Sequence, residues 1–308
     1  MLKIRINGHR CTWPVVMGSL TFQRFLIDRG SDLDFLDKDG SIPLHPASRS
    51  GHIDVARRLL LDRSSGVNAL GVDKWTPLYL ASYDGHLDIA KLLVGRGANM
   101  DSQNDNGGTS LKYASRSGYL DNARFVAESG GAVSALDNRG WTPFHMASEF
   151  GHLHDAKFLL ECGVAVDIRS RSEETALSLA SSIGKLDVVR FLIENGEDIY
   201  AKDNKGSNPL HIASAKGHLD VVRLLIDTGI AVDIRSGTQM SPLALASSKG
   251  RVEVGRFLIE RGVNINVRND HGRATLHFAS EHGHFDMARL LLDHGADANI
   301  QCDDLWSP

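Results

Sequence analysis

Histidines are the residues of this sequence whose number first suggests chemistry, since the chain has 14 of them among 308 residues. Histidine ligates zinc and transfers protons near neutral pH. A zinc site needs three or four ligands that converge on one point. The densest group is spread over a predicted turn, two predicted helices and the loop between them, at His271, His277, His282, His284 and His294. We therefore predict no metal site there, and no cofactor elsewhere.

Other short patterns match catalytic motifs only in form. Ser182 and Lys185 have the S-x-x-K spacing of serine acylases, but the S-D-N and K-T-G elements that accompany it are missing. Gly184–Lys185 lacks the upstream glycine and strand of a phosphate-binding loop. The neighbouring carboxylates Glu173 and Glu174 lie at a predicted hairpin tip, where charges are normally solvated. No set of nucleophile, base and orienting group is found, so we predict that the chain is not an enzyme.

Composition narrows the possible partners and surroundings of the chain. The formal net charge of -4 argues against nucleic-acid binding, which needs a clustered basic face. No apolar run approaches the roughly 20 residues that span a bilayer, so we predict no membrane insertion. The cysteines, Cys11, Cys162 and Cys302, are three in number and far apart, which favours a reducing compartment. We predict a monomer in the cytoplasm, with the nucleus as the alternative.

The elements that position these residues follow from an internal repeat. An apolar anchor recurs at spacings of 34 and then, six times, 33 residues, at Leu44, Leu78, Leu111, Phe144, Leu177, Leu210, Leu243 and Leu276. An alanine stands three residues after each anchor, and a glycine stands seven residues after it. Thr142 and Pro143 are typical of a helix start, and Gly151 of its end. A second helix is predicted from near His154 to Gly163.

The copies WTPFHMASEFGHLHDAKFLLECG, from Trp141, and NPLHIASAKGHLDVVRLLIDTG, from Asn208, resemble the ankyrin family, whose unit of 33 residues carries T-P-L-H-x-A. The resemblance covers about residues 18 to 308. It implies an all-α repeat fold, an ankyrin solenoid of paired short antiparallel helices joined by β-hairpin or turn fingers. It also implies that the histidine after the anchor, as at His145 and His211, is structural.

The periodicity predicts a single domain over 1–308, divided into a degenerate unit at 1–38 and eight units at 39–72, 73–105, 106–138, 139–171, 172–204, 205–237, 238–270 and 271–303. In the first unit the T-P-L-H slot falls on 9–12, and Pro14 lies inside the expected helix. Residues 304–308 match the start of a further unit, since Trp306–Pro308 repeats Trp141–Pro143. We expect a fragment of a longer array, and the alternative is that this terminal hairpin closes the stack.

The resemblance implies that partners bind in a concave groove lined by the hairpin tips and the ends of the first helices. Trp, Tyr and Arg dominate binding hot spots. The predicted partner-binding residues are therefore Trp75, Tyr83, Arg116, Arg139, Trp141 and Phe150. We predict a protein–protein interaction scaffold or adaptor. Two alternatives are a ligand sensor that stacks a base on Trp75 or Trp141, and a regulatory region of a larger signalling protein or enzyme. Both tryptophans could also merely pack along their hairpins.

Overall fold

The computed structural model describes residues 2–6, 9–13, 40–62, 66–303 and 307–308. Its first element is a hairpin in which β1 (Leu2–Ile6) pairs antiparallel with β2 (His9–Trp13). Leu2, Ile4 and Ile6 alternate with basic residues, a period-2 pattern typical of strands. The stretch 9–12, which the repeat alignment matched to a helix start, is thus extended. The rest of the predicted first unit, 14–38, lies outside the described residues.

Eight pairs of short helices follow in the described part of the chain. They are α1 (Leu44–Arg49) with α2 (Ile53–Asp62), α3 (Pro77–Tyr83) with α4 (Leu87–Val94), α5 (Ser110–Ser117) with α6 (Leu120–Glu128), α7 (Pro143–Phe150) with α8 (Leu153–Glu161), α9 (Ala176–Ile183) with α10 (Leu186–Glu194), α11 (Pro209–Lys216) with α12 (Leu219–Asp227), α13 (Pro242–Ser248) with α14 (Val252–Glu260), and α15 (Thr275–Glu281) with α16 (Phe285–Asp293). The predicted all-α repeat of paired short helices is confirmed. None of the described helices has the length and apolar character that a membrane span requires.

The helix limits have local causes in the sequence. Thr76 starts α3, because its hydroxyl accepts the backbone N–H of Tyr79 at 3.2 Å. Pro77 follows at the first helical position, where a missing N–H leaves no bond unmade. Helix α9 ends at Gly184, whose φ of 76° is the left-handed conformation that favours glycine.

The chain forms two compact units, Met1–Ala147 with His154–Val164, and Ser148–Leu153 with Ala165–Pro308. In the first unit, α1 packs against α3, and α3 packs against α5. The second helices pack in the same order, α2 against α4 and α4 against α6. In the second unit, α9, α11, α13 and α15 form one layer, and α10, α12, α14 and α16 form the other. Each unit is therefore two layers deep, which suits helices too short to be stable alone.

The repeat anchors form the cores of these layers. The anchors Leu78, Leu177 and Leu210 are fully buried, and so are the alanines three residues beyond them. Small alanines let neighbouring helices approach closely, while the larger anchors fill the space between repeats. The repeat register read from the sequence is thus the register of the core.

Candidate functional site

The turns that precede the first helices are organised by one polar side chain per repeat. Asn104 Oδ1 accepts the backbone N–H groups of Asn106 at 3.1 Å and Gly108 at 2.8 Å. Asp137 builds the same turn in the next repeat, where its Oδ1 accepts two backbone N–H groups at 2.8 Å each. We call these turns the fingers. Side chains on them are held in fixed positions because the backbone beneath them is saturated with hydrogen bonds.

The finger of the repeat at 73–105 departs from this pattern. Gly71 stands where Asn104 and Asp137 stand in their repeats, so no side chain organises the turn. The backbone instead forms a short 3-10 turn, with positive φ at Asp73 (51°) and Lys74 (59°). The Lys74 ammonium pairs with Asp105 of the next finger at 2.8 Å, and the hydrogen bond with Asp105 raises the pKa of Lys74. This finger is therefore held by backbone hydrogen bonds within its own turn and by an ion pair with its neighbour.

An aromatic cluster follows that finger. Trp75 lies 4.5 Å from Tyr79, 5.7 Å from Tyr83 and 5.9 Å from Tyr113, measured between ring centroids. Tyr113 comes from the next repeat and is 4.4 Å from Tyr79 and 6.0 Å from Tyr83. All five pairs are tilted, a geometry that aromatic rings prefer. The rings touch one another, so the cluster presents a filled apolar face and no open cage.

The inner half of the cluster is fixed by a buried amide. Asn104 Nδ2 donates to the Tyr79 hydroxyl at 2.8 Å and lies 3.5 Å from that of Tyr113. Tyr79 and Tyr113 are both buried, and burial raises the pKa of Tyr79. These two tyrosines were not among the predicted partner-binding residues. Tyr79 occupies the slot where other repeats have the T-P-L-H histidine, and that substitution is the signal that could have revealed the cluster.

The outer half of the cluster reaches the surface. Trp75 and Tyr83 are half-buried, and Arg116, also half-buried, places its guanidinium carbon 6.0 Å from the centroid of Tyr113. Arg49 approaches Asp84, which directly follows Tyr83, at 3.9 Å. Three of the six predicted binding residues are therefore brought to one place. Together they give an aromatic surface next to a guanidinium.

Trp141 is placed differently from the prediction. Its indole is only 1% exposed, and the Arg139 guanidinium carbon lies 3.9 Å from its ring centroid. Beneath it, Lys112 forms a buried ion pair with Asp137 and donates to the Trp141 carbonyl at 3.3 Å. Burial lowers the pKa of Lys112, and Asp137 opposes that shift. Trp141 thus offers no exposed hot-spot surface. Its burial fits the alternative interpretation, in which the ring packs along the hairpin.

Phe150 belongs to the second unit and is 37% exposed. It ends α7, so its position at the end of a first helix is as predicted. The exposed Arg139 and the buried Trp141 belong to the first unit.

The histidines of the T-P-L-H slot are held by backbone hydrogen bonds. Both ring nitrogens of His211 are engaged, with Nδ1 lying 2.6 Å from the Asn208 side chain and Nε2 lying 3.1 Å from the Ile234 carbonyl. Burial lowers the pKa of His211 to about 4, so the ring is neutral at pH 7. His45 similarly places Nε2 3.1 Å from the Ala69 carbonyl and 3.0 Å from that of Trp75. These contacts give the slot the structural role that the resemblance implied.

Three histidines of the last repeat also lie within hydrogen-bond distance of backbone carbonyls. His282 and His294 each place Nδ1 near the carbonyl four residues earlier, at 3.0 and 2.8 Å, and His284 places Nε2 3.3 Å from the Ser248 carbonyl. In the part of the chain that the structure describes, no group of three or more His, Cys, Asp or Glu side chains is placed to hold a metal ion.

Comparison with known proteins agrees with this geometry. A family model described as ankyrin repeats, in three copies, matches residues 15–104, 85–171, 157–236 and 231–302. The crystal structure of the human ASB11 ankyrin repeat domain is similar, with a TM-score of 0.66 and 27% sequence identity. That similarity covers 72% of this chain and 98% of the human domain. No curated protein sequence matches.

Proposed function

The chain belongs to the ankyrin-repeat family, and we propose that it is an interaction scaffold or adaptor that binds a protein partner on the surface formed by Trp75, Tyr83 and Arg116. Ankyrin repeats are in general protein–protein interaction modules, and the fold is typically non-catalytic. The observation that supports this site is the aromatic cluster, because it places two half-buried rings and a guanidinium together on fixed elements. These are the residue types that dominate binding hot spots.

The proposal narrows the predicted site. Three predicted residues are left out of it: Arg139 is exposed and lies against the Trp141 ring, Trp141 is buried, and Phe150 belongs to the second unit. A base-stacking sensor has less support, since the ring of Trp141 is buried and that of Trp75 already contacts three tyrosines. A cytoplasmic or nuclear location is also proposed, because Cys162 and Cys302 are free thiols in the described structure.

The test is to isolate a partner with the purified chain and then measure its affinity for variants. Truncating a hot-spot residue costs at least about 2 kcal/mol, so Tyr83→Ala should weaken binding by about 30-fold or more. Tyr200→Ala is the matched control, because Tyr200 is 46% exposed and lies in the second unit. Both variants should unfold at the same temperature as the wild type to within a few degrees. A partner that binds Tyr83→Ala as tightly as the wild type would remove this surface from consideration.

A further inference from the structure

A second surface is formed by side chains of the second unit that lie at the ends of four successive first helices. Phe150, Ile183, Lys216 and Lys249 occupy the same position of their repeats, six residues after the anchor. Phe150 is 37% exposed, Ile183 is 47% exposed, and both lysines are exposed. We call these four side chains the helix-end row. It is apolar in its first two repeats and basic in the next two.

The row is aligned by contacts between consecutive repeats. His218 Nε2 lies 3.0 Å from the Ser182 carbonyl, directly before Ile183 in the chain. Arg251 Nε donates to the Ala215 carbonyl, directly before Lys216, at 3.2 Å. These bonds fix the helix ends at Ile183 and Lys216 against the repeats that follow them. The row therefore advances by one repeat at a time, about 8–10 Å for packed helices.

The apolar half is not a general property of this repeat position. In the first unit the same position holds Ser50, Asp84 and Ser117, all of them polar. Single exposed apolar side chains are common on proteins, whereas adjacent ones form a patch whose burial is favourable.

The basic half of the row consists of two exposed lysines. Lys216 and Lys249 form no ion pair with a described residue, whereas in the first unit Lys74 pairs with Asp105 at 2.8 Å. In the second unit, Glu281 is paired with Arg273 at 2.9 Å. Cations are favoured at helix C-termini, which accounts for the lysines but not for Phe150 and Ile183.

We propose that the helix-end row docks an extended partner segment that carries apolar side chains at one end and acidic side chains at the other. The apolar residues cover Phe150 and Ile183, and the carboxylates pair with Lys216 and Lys249. Three repeat steps span roughly 24–30 Å, which about eight to ten residues cover in a polyproline II conformation at about 3.1 Å each. That conformation has three residues per turn, so side chains that contact the row recur about every third residue.

This inference goes beyond the proposed function, since the row lies in the second unit and specifies the chemistry of its own partner. The experiment is selection of a random 12-residue peptide library on the full chain, followed by anisotropy titration of labelled winners. We expect enriched peptides to combine apolar residues with Asp or Glu at the expected spacing. Their affinity should fall at least about fivefold with Lys216→Glu/Lys249→Glu, and it should weaken as salt is raised.

The matched control is Arg190→Glu/Arg256→Glu, which makes the same charge change at exposed residues of the second helices α10 and α14. It should leave binding unchanged. The inference is overturned if no acidic peptide is enriched, or if both charge-reversed proteins lose binding equally. It is also overturned if the winners depend on Tyr83 and ignore the row. In that last outcome the proposed function survives without this inference. Peptides whose binding depends on the row and not on Tyr83 would instead support this inference without the proposed function.

Discussion

Replacing Asp155 by Asn should stabilise the protein at pH 8 and leave its stability nearly unchanged at pH 4. Asp155 lies in α8 and is only 2% exposed. It occupies the helix position where Val188 and Val221 stand in later repeats. Its Oδ1 has no hydrogen-bond partner, and burial raises its pKa from 3.8 to about 7. The preceding repeat has Asn122 at the same position, so a buried amide is already tolerated there.

The magnitude follows from proton linkage. Well below pH 3.8 the carboxyl group is protonated in both the folded and the unfolded chain, so it has no effect on the pH dependence, and at pH 4 its effect on stability is still small. Between about pH 4 and pH 7 the unfolded chain ionises while the folded chain keeps its proton, so the fold loses stability as pH rises. Each pKa unit is worth about 1.4 kcal/mol, and a shift of roughly 3 units gives about 4 kcal/mol above pH 7. Because a buried site relaxes and admits water, we expect Asp155→Asn to recover about 1–4 kcal/mol at pH 8.

Urea denaturation at pH 4, 6 and 8 measures this difference. Asp121→Asn is the control, because Asp121 is exposed and lies in the first turn of α6. We expect the advantage of Asp155→Asn over the wild type to grow from pH 4 to pH 8, and the control to show no such growth. If Asp155→Asn is less stable than the wild type at pH 8 by as much as at pH 4, or by more, the ionised carboxylate is stabilised in the fold. That result would refute the reasoning from burial.

Three other substitutions test the remaining structural assignments. Trp141→Ala should lower the free energy of unfolding by about 3–5 kcal/mol, because the ring is buried, and affinity measured well below the unfolding temperature should change little. Lys112→Met should cost about 3–5 kcal/mol by leaving Asp137 buried and unpaired, and adding Asp137→Asn should recover a large part of that loss in a double-mutant cycle. Gly184→Ala should destabilise more than Gly196→Ala, although both glycines have positive φ, because of the two only Gly184 would place its new Cβ against another side chain, the His218 ring. Equal losses of thermal stability for the two glycine variants would contradict that steric explanation.

The repeat length, the anchors and the helix limits could all be read from the sequence. Each depends on local properties such as the N-cap of Thr76, the positive φ of Gly184 and the helical spacing of apolar residues. The hairpin at residues 2–13 was not predicted, because the repeat alignment was extended over a stretch whose alternation favours strands. In that stretch the 33-residue repeat was given more weight than the local alternation of apolar and basic residues.

The candidate site was predicted only in part. Trp75, Tyr83 and Arg116 were chosen by residue type and slot, and the structure brings them together around Tyr113, which was not chosen. Trp141 occupies the same slot as Trp75 but is buried, since Lys112, Asp137 and Arg139 surround it. The position of a residue in the repeat therefore does not determine whether its side chain is exposed.

The periodic part of this protein follows from its amino-acid sequence alone, because a repeat with apolar residues at helical spacing can bury them only against its neighbours. Which side chains lie at the surface was decided by the tertiary structure. Exposure of Trp75 or Phe150 depends on what the next repeat places beside it, and that residue is about 33 positions away in the chain. The buried carboxyl of Asp155 shows the same dependence, since it is charged or neutral according to the packing of adjacent repeats and not according to its own type.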